Sequence, residues 1–152
     1  MTADAAIRAR VGDVPVPIFD FTPATRSVPL RNARVAIVTT AGLRPIGHVS
    51  LWQPTDGSFT VLPADAHDVQ LSHFSPNFDR TGFAADINVV YPIDRLNELA
   101  AAGEIGAVAS RHLSFMGTQT DATFTTILLD TGPAAARVLR EDGVDVVLLT
   151  PV

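Results

Sequence analysis

"DINVVYPIDRLNELAAAGEIGAVAS" (residues 86–110) is the stretch on which the fold turns. Ile87–Tyr91 is an apolar run with two valines and reads as a strand leading into a helix. Pro92 suits the first helical position, where an amide hydrogen has no partner to lose. Asp94 sits near the positive end of the helix dipole. Ile93, Leu96, Leu99 and Ala100 recur at helical spacing, and Gly103 closes the helix. Ile105–Ala109 then reads as a second strand. If the two strands are parallel, the unit is a right-handed β–helix–β crossover.

The flanks extend the pattern. In "RVAIVTTAGL" (34–43), Val35–Val38 is continuous and apolar, as expected of a strand covered on both faces. Thr39, Thr40 and Gly42 follow as a small-residue turn. "SFTVLP" (58–63) alternates and ends in proline, which suits an edge strand, and "DVQLSHF" (68–74) reads as another extended piece. "RHLSFMGTQTD" (111–121) reads as a loop. A helix is predicted over about 133–142, closed by Gly143, with the stretch before it also helical. Val144–Leu149 forms a last buried strand. The expected fold is a three-layer α/β sandwich with a mainly parallel central sheet. Residues 1–33, with Pro15, Pro17, Pro23 and Pro29, read as an extended arm, and 34–152 as one α/β domain.

Composition bounds the function. The chain has 152 residues, 47% of them hydrophobic and 18% charged, which fits one packed core rather than a disordered chain. Its formal net charge is −5, from 11 basic and 16 acidic residues. No Lys/Arg cluster is visible, so no nucleic-acid surface is expected. No run reaches the ~18 apolar residues of a membrane span, and the N-terminus lacks a signal-like apolar core. The expected setting is the cytoplasm. There is no cysteine, so this chain carries no disulfide, no thiolate nucleophile and no thiolate metal site.

Three apolar runs end in polar residues: Val38 before Thr39 and Thr40, Ala109 before Ser110, Arg111 and His112, and Leu149 before Thr150. Parallel strands would gather these endings at one mouth, the usual ligand edge of an open α/β sheet. Strand ends also simply turn, and threonine, serine and glycine are turn residues. Arg111, His112 and Ser114 favour a site, because arginine clamps carboxylates in bidentate fashion. His73 and Asp79 offer either a His–Asp base pair or an incidental polar loop. No metal-ligand spacing is present, so no metal is expected. His48 and His67 read as solvated, and Trp52 and Phe59 as packing residues. "TAGLRPIG" has neither of the common glycine-rich phosphate-loop orders.

"RVAIVTTAGL", "NVVYPIDRL", "RHLSFMG" and "EDGVDVVLLTPV" together resemble the selenoprotein B family of glycine, sarcosine, betaine and D-proline reductases, over roughly residues 30–152. The resemblance implies reductive cleavage of a C–N bond in a small amino-acid-derived substrate, by a selenol or thiol that a dithiol system restores. In that family a selenocysteine or cysteine follows the strand resembling Val146–Leu149. This sequence stops at Val152. A split gene, cleavage of a precursor with formation of a pyruvoyl group, and a shortened or degenerate relative are the alternatives. The expectation is no cofactor on this chain, with the thiol or selenol supplied by a following segment or a partner chain, or a pyruvoyl group by a partner, and the α/β domain incomplete without that segment or partner. Catalytic candidates are His112, His73 and Thr150. Thr39, Thr40, Arg111 and Ser114 are candidates for holding a carboxylate or amino-acid-like substrate. A second polypeptide or another copy of the chain is expected to cover the last strand. A non-catalytic binding or assembly subunit, and a thiol-free hydrolase or lyase, are the competing functions.

Overall fold

The structure is a computed structural model that describes residues 28–48, 52–66, 68–75, 78–119 and 121–152, with scattered positions before residue 27. The arm expected over 1–33 lies mostly outside the described residues, as does His67. Its end is described: a 3₁₀ turn at Leu30–Asn32 leads into buried Ala33, and Gly106 N donates to Leu30 O at 3.0 Å. Glycine is required at 106, because a Cβ there would lie 2.6 Å from the Asn32 carbonyl carbon.

The described strands are β1 (Arg34–Thr39), β2 (Leu43–Pro45), β3 (Phe59–Pro63), β4 (Val69–Leu71), β5 (Ala107–Val108), β6 (Arg111–Phe115) and β7 (Val146–Thr150). The helices are α1 (Thr81–Ala85), α2 (Ile93–Ala101), α3 (Asp121–Thr126) and α4 (Gly132–Glu141), with a π-helical turn at Ile127–Thr131 joining the last two. β1 is parallel to β5, β6 and β7. Val35 pairs with both Val108 and Val146, and Thr39 with both Ser114 and Thr150. β5 and β6 therefore occupy one side of β1 in succession, and β7 the other. β3 runs antiparallel to β6, and β2 with β4 makes a separate antiparallel ribbon.

Alternation along β1 builds three layers. Val35 and Ile37 pack with Leu43, Tyr91, Ile93 and Leu96, on the side of α2 and the ribbon. Ala36 packs with Leu113, Phe115, Ala135 and Leu139, on the side of α4. This is the expected α/β sandwich with a mainly parallel sheet.

Three local expectations are overturned. The last strand, expected to be buried over Val144–Leu149, is β7 at the sheet edge, with Val147, Leu148 and Leu149 exposed, because only β1 pairs with it among the described residues. Ile87–Tyr91 is not a strand; Ile87–Val89 is a 3₁₀ turn. Asp86 Oδ1 accepts from Asn88 N at 2.9 Å, and Asn88 Oδ1 accepts from Asp94 N at 3.1 Å, which coils the chain directly into α2. Side-chain bonds to the local backbone thus outcompete the β-preference of the valines. The third correction is "RHLSF", read as a loop, which is the interior strand β6. The sheet does not end at Ala109. After a break at Ala109-Ser110, the chain rejoins β1 one step further along.

Candidate functional site

Strand pairing, parallel except between β3 and β6, brings Thr60, Ser114, Thr39 and Thr150 into one row across β3, β6, β1 and β7. Backbone groups use most of these hydroxyls. Ser114 Oγ accepts from Leu43 N at 2.7 Å, and Thr39 Oγ1 accepts from Ala41 N at 3.1 Å. Thr150 Oγ1 donates to Val90 O at 3.0 Å. Thr40 lies just beyond the row and extends the ladder: Val152 N donates to its Oγ1 at 2.9 Å, and Thr40 N donates to Thr150 O at 3.2 Å. The expected mouth exists, and its floor is a lattice of hydroxyl–backbone bonds.

His73 is the reactive side chain that this lattice leaves available. It is buried, and its ring stacks on Phe78 with centroids 4.6 Å apart. Its Nδ1 accepts from Ser75 N at 3.2 Å. That bond assigns the proton of the neutral ring to Nε2. Nε2 is buried and has no hydrogen-bond partner among the described residues. Burial, and then the cation of Arg80, hold the pKa of His73 below the usual histidine value. Arg80 Nη2 donates to His73 O at 2.6 Å and steadies this loop. A Cβ built on Gly117 would meet His73 Nε2 at 2.9 Å, Thr40 O at 3.0 Å and Val152 O at 3.1 Å. An imidazole N–H, two carbonyl oxygens and a side-chain-free backbone therefore converge on one point. A crevice of about 160 Å³ opens there, lined by His73, Ser75, Phe78, Thr118 and Val152.

The other two basic candidates are elsewhere. His112 is wholly buried in mid-sheet, and its Nδ1 accepts from Ile37 N at 2.9 Å. The break between β5 and β6 skips a ladder position, and the imidazole fills it. Its ring and that of Tyr91 pack edge to face with centroids 5.6 Å apart, and its Nε2 and the Tyr91 hydroxyl are both buried without hydrogen-bond partners among the described residues. Burial pushes the pKa of His112 down to about 4, against a smaller opposing pull from Asp142. Arg111 is at the start of β6, on the α4 face. Its N donates to Asp142 Oδ2 at 3.0 Å and its Nη2 to Val138 O at 3.0 Å. Ser110 Oγ also binds Asp142. The expectation that Ser110, Arg111 and His112 line the mouth is thus corrected. The end of α4 holds Ser110 and Arg111 at the opposite edge of the sheet, and Ile37 N holds His112 in its interior. Asp79 does not orient His73; its Oδ1 accepts from Thr81 N at 2.9 Å. Among the described residues, no three metal-ligating side chains converge.

Sequence reasoning missed the Met116–Gln119 turn as a site element. Thr118 has φ +57°, a left-handed conformation uncommon for a β-branched residue and a recurring mark of functional turns. It also missed Arg44, whose buried guanidinium lies 4.0 Å above the Trp52 ring and 3.5 Å from Asp56. Neither turn strain nor a buried cation has a one-dimensional signature.

The model of the glycine/sarcosine/betaine reductase selenoprotein B family matches residues 8–152. The chain belongs to this selenoprotein B family. D-proline reductase subunit gamma of Acetoanaerobium sticklandii is 38% identical over 138 residues, covering 90% of this chain and 54% of that protein. Sarcosine reductase complex component B subunit beta of Peptoclostridium acidaminophilum is 28% identical over 144 residues. Glycine reductase complex component B subunit gamma of Carboxydothermus hydrogenoformans is 27% identical over 148 residues. The match covers 32% of each of these two proteins, so the chain spans only about a third to a half of its relatives' length. No solved structure matches it. Among the described residues, no helix is long and apolar enough to cross a membrane.

Proposed function

We propose that the mouth around His73 is the substrate-facing part of a reductase site acting on a small amino-acid-derived carboxylate. The observation that carries this reading is the buried, unpartnered His73 Nε2–H beside Gly117 and the Val152 carbonyl, at the ends of parallel strands. Family membership supports a reductase rather than a hydrolase. These 152 residues hold no cysteine, so in this reading the sulfur or selenium nucleophile, or a pyruvoyl group, lies outside them, on a following segment or a partner chain. A thiolate or selenolate there would attack the substrate's α-carbon and displace the amine, whereas a pyruvoyl group would serve as an electrophile for the substrate nitrogen. In this reading, His73 donates a hydrogen bond to the anion gathered at the mouth. A neutral N–H donor in a dry site lowers the energy of a thiolate or carboxylate without adding a mobile proton. Thr39, Thr40, Ser114 and Thr150 hold the walls, and Arg111 and His112 hold the scaffold.

In the complete reductase assembly, His73→Leu is expected to lower kcat by about 100-fold while leaving assembly intact. An unchanged kcat would remove His73 from the reaction. The purified 152-residue chain is expected to show no reductase turnover by itself.

The partner surface in this reading is the outer edge of β7. β7 pairs only with β1 among the described residues, and Val147, Leu148 and Leu149 are 37%, 38% and 67% exposed. An apolar edge strand without charge is a template for another strand. Leu149→Asp is expected to weaken association with the companion polypeptide at least about tenfold, with a stability change within about 0.5 kcal/mol. Association measured by analytical ultracentrifugation that is unaffected by the substitution would place the interface elsewhere.

A further inference from the structure

Arg44 on β2 is only 4% exposed, yet it does not line the His73 crevice. Its guanidinium sits 4.0 Å above the Trp52 ring, and Nη2 is 3.5 Å from Asp56 Oδ2. Nη1 donates to His48 Nδ1 at 2.9 Å, and Nε is buried with no hydrogen-bond partner among the described residues. Taking a guanidinium out of water is costly, and one carboxylate at this distance offsets it poorly. An apolar side chain of the same length would fill the place at less cost. What arginine adds is reach, because a planar cation holds an aromatic face and a carboxylate at once.

These two partners lead to different walls of the mouth. Trp52 Nε1 donates to Gly42 O at 3.0 Å. The same oxygen accepts from Ser72 N at 3.0 Å, one residue before His73. A Cβ built on Gly42 would lie 3.3 Å from both Cα and N of His73, so His73 rests directly on the Gly42 backbone. Asp56 leads the other way. Its side chain accepts from Ser58 N at 2.9 Å, and its carbonyl accepts from Gln119 Nε2 at 3.4 Å. Gln119 Nε2 also donates to Met116 O at 2.6 Å, which ties in the turn that carries Gly117. The next carbonyl, Gly57 O, accepts from Thr131 Oγ1 at 2.6 Å at the end of the π-helical turn.

We propose that Arg44 is a positioning residue that couples the His73 wall of the mouth to the Met116–Gln119 wall, through Trp52 on one side and Asp56 on the other. The inference rests on the reading of the mouth given above. Arg44 acts at a distance from the crevice and sets the approach of His73 to Gly117, where a single added carbon already has no room. Without the guanidinium, the Trp52 ring and the Asp56 turn lose their common anchor, and each wall relaxes by itself. A misplacement of about 1 Å at a reaction site lowers the rate by up to roughly 100-fold, even when the fold is intact.

The test is Arg44→Met, which keeps the length of the side chain and removes its charge and planar fork. In the 152-residue chain its urea midpoint is expected to stay at or above that of the wild type, while the NMR shifts of the Gly117 amide and of the His73 ring nitrogens both move. Trp52→Phe, which keeps a ring under Arg44 and loses the bond to Gly42, should move His73 alone. In the complete reductase assembly, Arg44→Met should lower kcat about tenfold with KM within about twofold of wild type. Arg44→Lys, which keeps the charge and loses the fork, should not restore it. Resonances that stay at their wild-type positions, or an unchanged kcat where His73→Leu lowers it, would overturn the coupling. A sharply lowered urea midpoint would reduce Arg44 to a folding role, and full activity in Arg44→Lys would reduce it to a charge; either result overturns the proposal. If His73→Leu leaves kcat unchanged while Arg44→Met still moves both walls, the coupling stands and the reductase reading of the mouth falls.

Discussion

Between pH 6.5 and pH 4 the folded chain is expected to lose about 3 kcal/mol of stability through His112 alone. The sign follows from where the proton goes. The folded-state pKa is depressed to about 4 from a reference of 6.5. Above pH 6.5 neither state carries the proton, and the full stability is present. As the pH falls through the window, the unfolded chain takes up a proton that the folded chain refuses, so unfolding gains. Below pH 4 both states are protonated and the loss levels off. The cause is geometric: Nδ1 is committed to Ile37 N, and Nε2 is buried with no hydrogen-bond partner among the described residues to share the charge. Urea midpoints measured across this range should fall steeply in the wild type and clearly less in His112→Gln, which keeps a carbonyl acceptor and cannot charge. Burial also holds the pKa of His73 down, and its smaller contribution remains in both proteins. Equal slopes in the two proteins would show that His112 is not the titrating group.

The same histidine shows what the sequence made legible. β1 and β7 were readable because both are unbroken apolar runs. α2 and α4 were readable from apolar spacing and from Gly103 and Gly143, both at positive φ. "RHLSF" was misread because three of its five residues are polar. Its hidden regularity is a period of two: His112 and Ser114 on one face, Leu113 and Phe115 on the other. Each polar side chain there is bonded to backbone, which lets it sit inside a sheet at little cost. Those partners, Ile37 N, Leu43 N and Val138 O, come from distant parts of the chain, so no local window reveals them. The same limit applied to the site. Thr39, Thr40, Thr150 and His73 were named from strand endings and from a single imidazole in a polar loop. That His73 reaches the mouth while Arg111 does not depends on which face of β6 each neighbour occupies. The break at Ala109-Ser110 decides that phase.

Gly117→Ala is expected to cost about 2 kcal/mol of stability and to reproduce the kinetic loss of His73→Leu. The new methyl group would sit 2.9 Å from His73 Nε2, 3.0 Å from Thr40 O and 3.1 Å from Val152 O. Two of these neighbours are main chain. Gly117 N is itself tied to Thr40 O at 2.8 Å, so the turn has little freedom to retreat. The imidazole must therefore turn, at the expense of its Ser75 bond and Phe78 stack, or the Thr150–Val152 segment must move off Thr40. Either movement separates His73 from the segment that ends at the mouth. The two are distinguished by spectroscopy. A shifted His73 ring resonance with Val152 unchanged identifies rotation of the ring, and the reverse identifies displacement of the strand end. A Gly117→Ala protein with wild-type stability and kcat would mean that this convergence is incidental and that the reductive chemistry is organised elsewhere. Gly82→Ala is the control, because its Cβ would meet only Val89 side-chain atoms at 3.4 Å or more. It should leave both stability and turnover close to wild type.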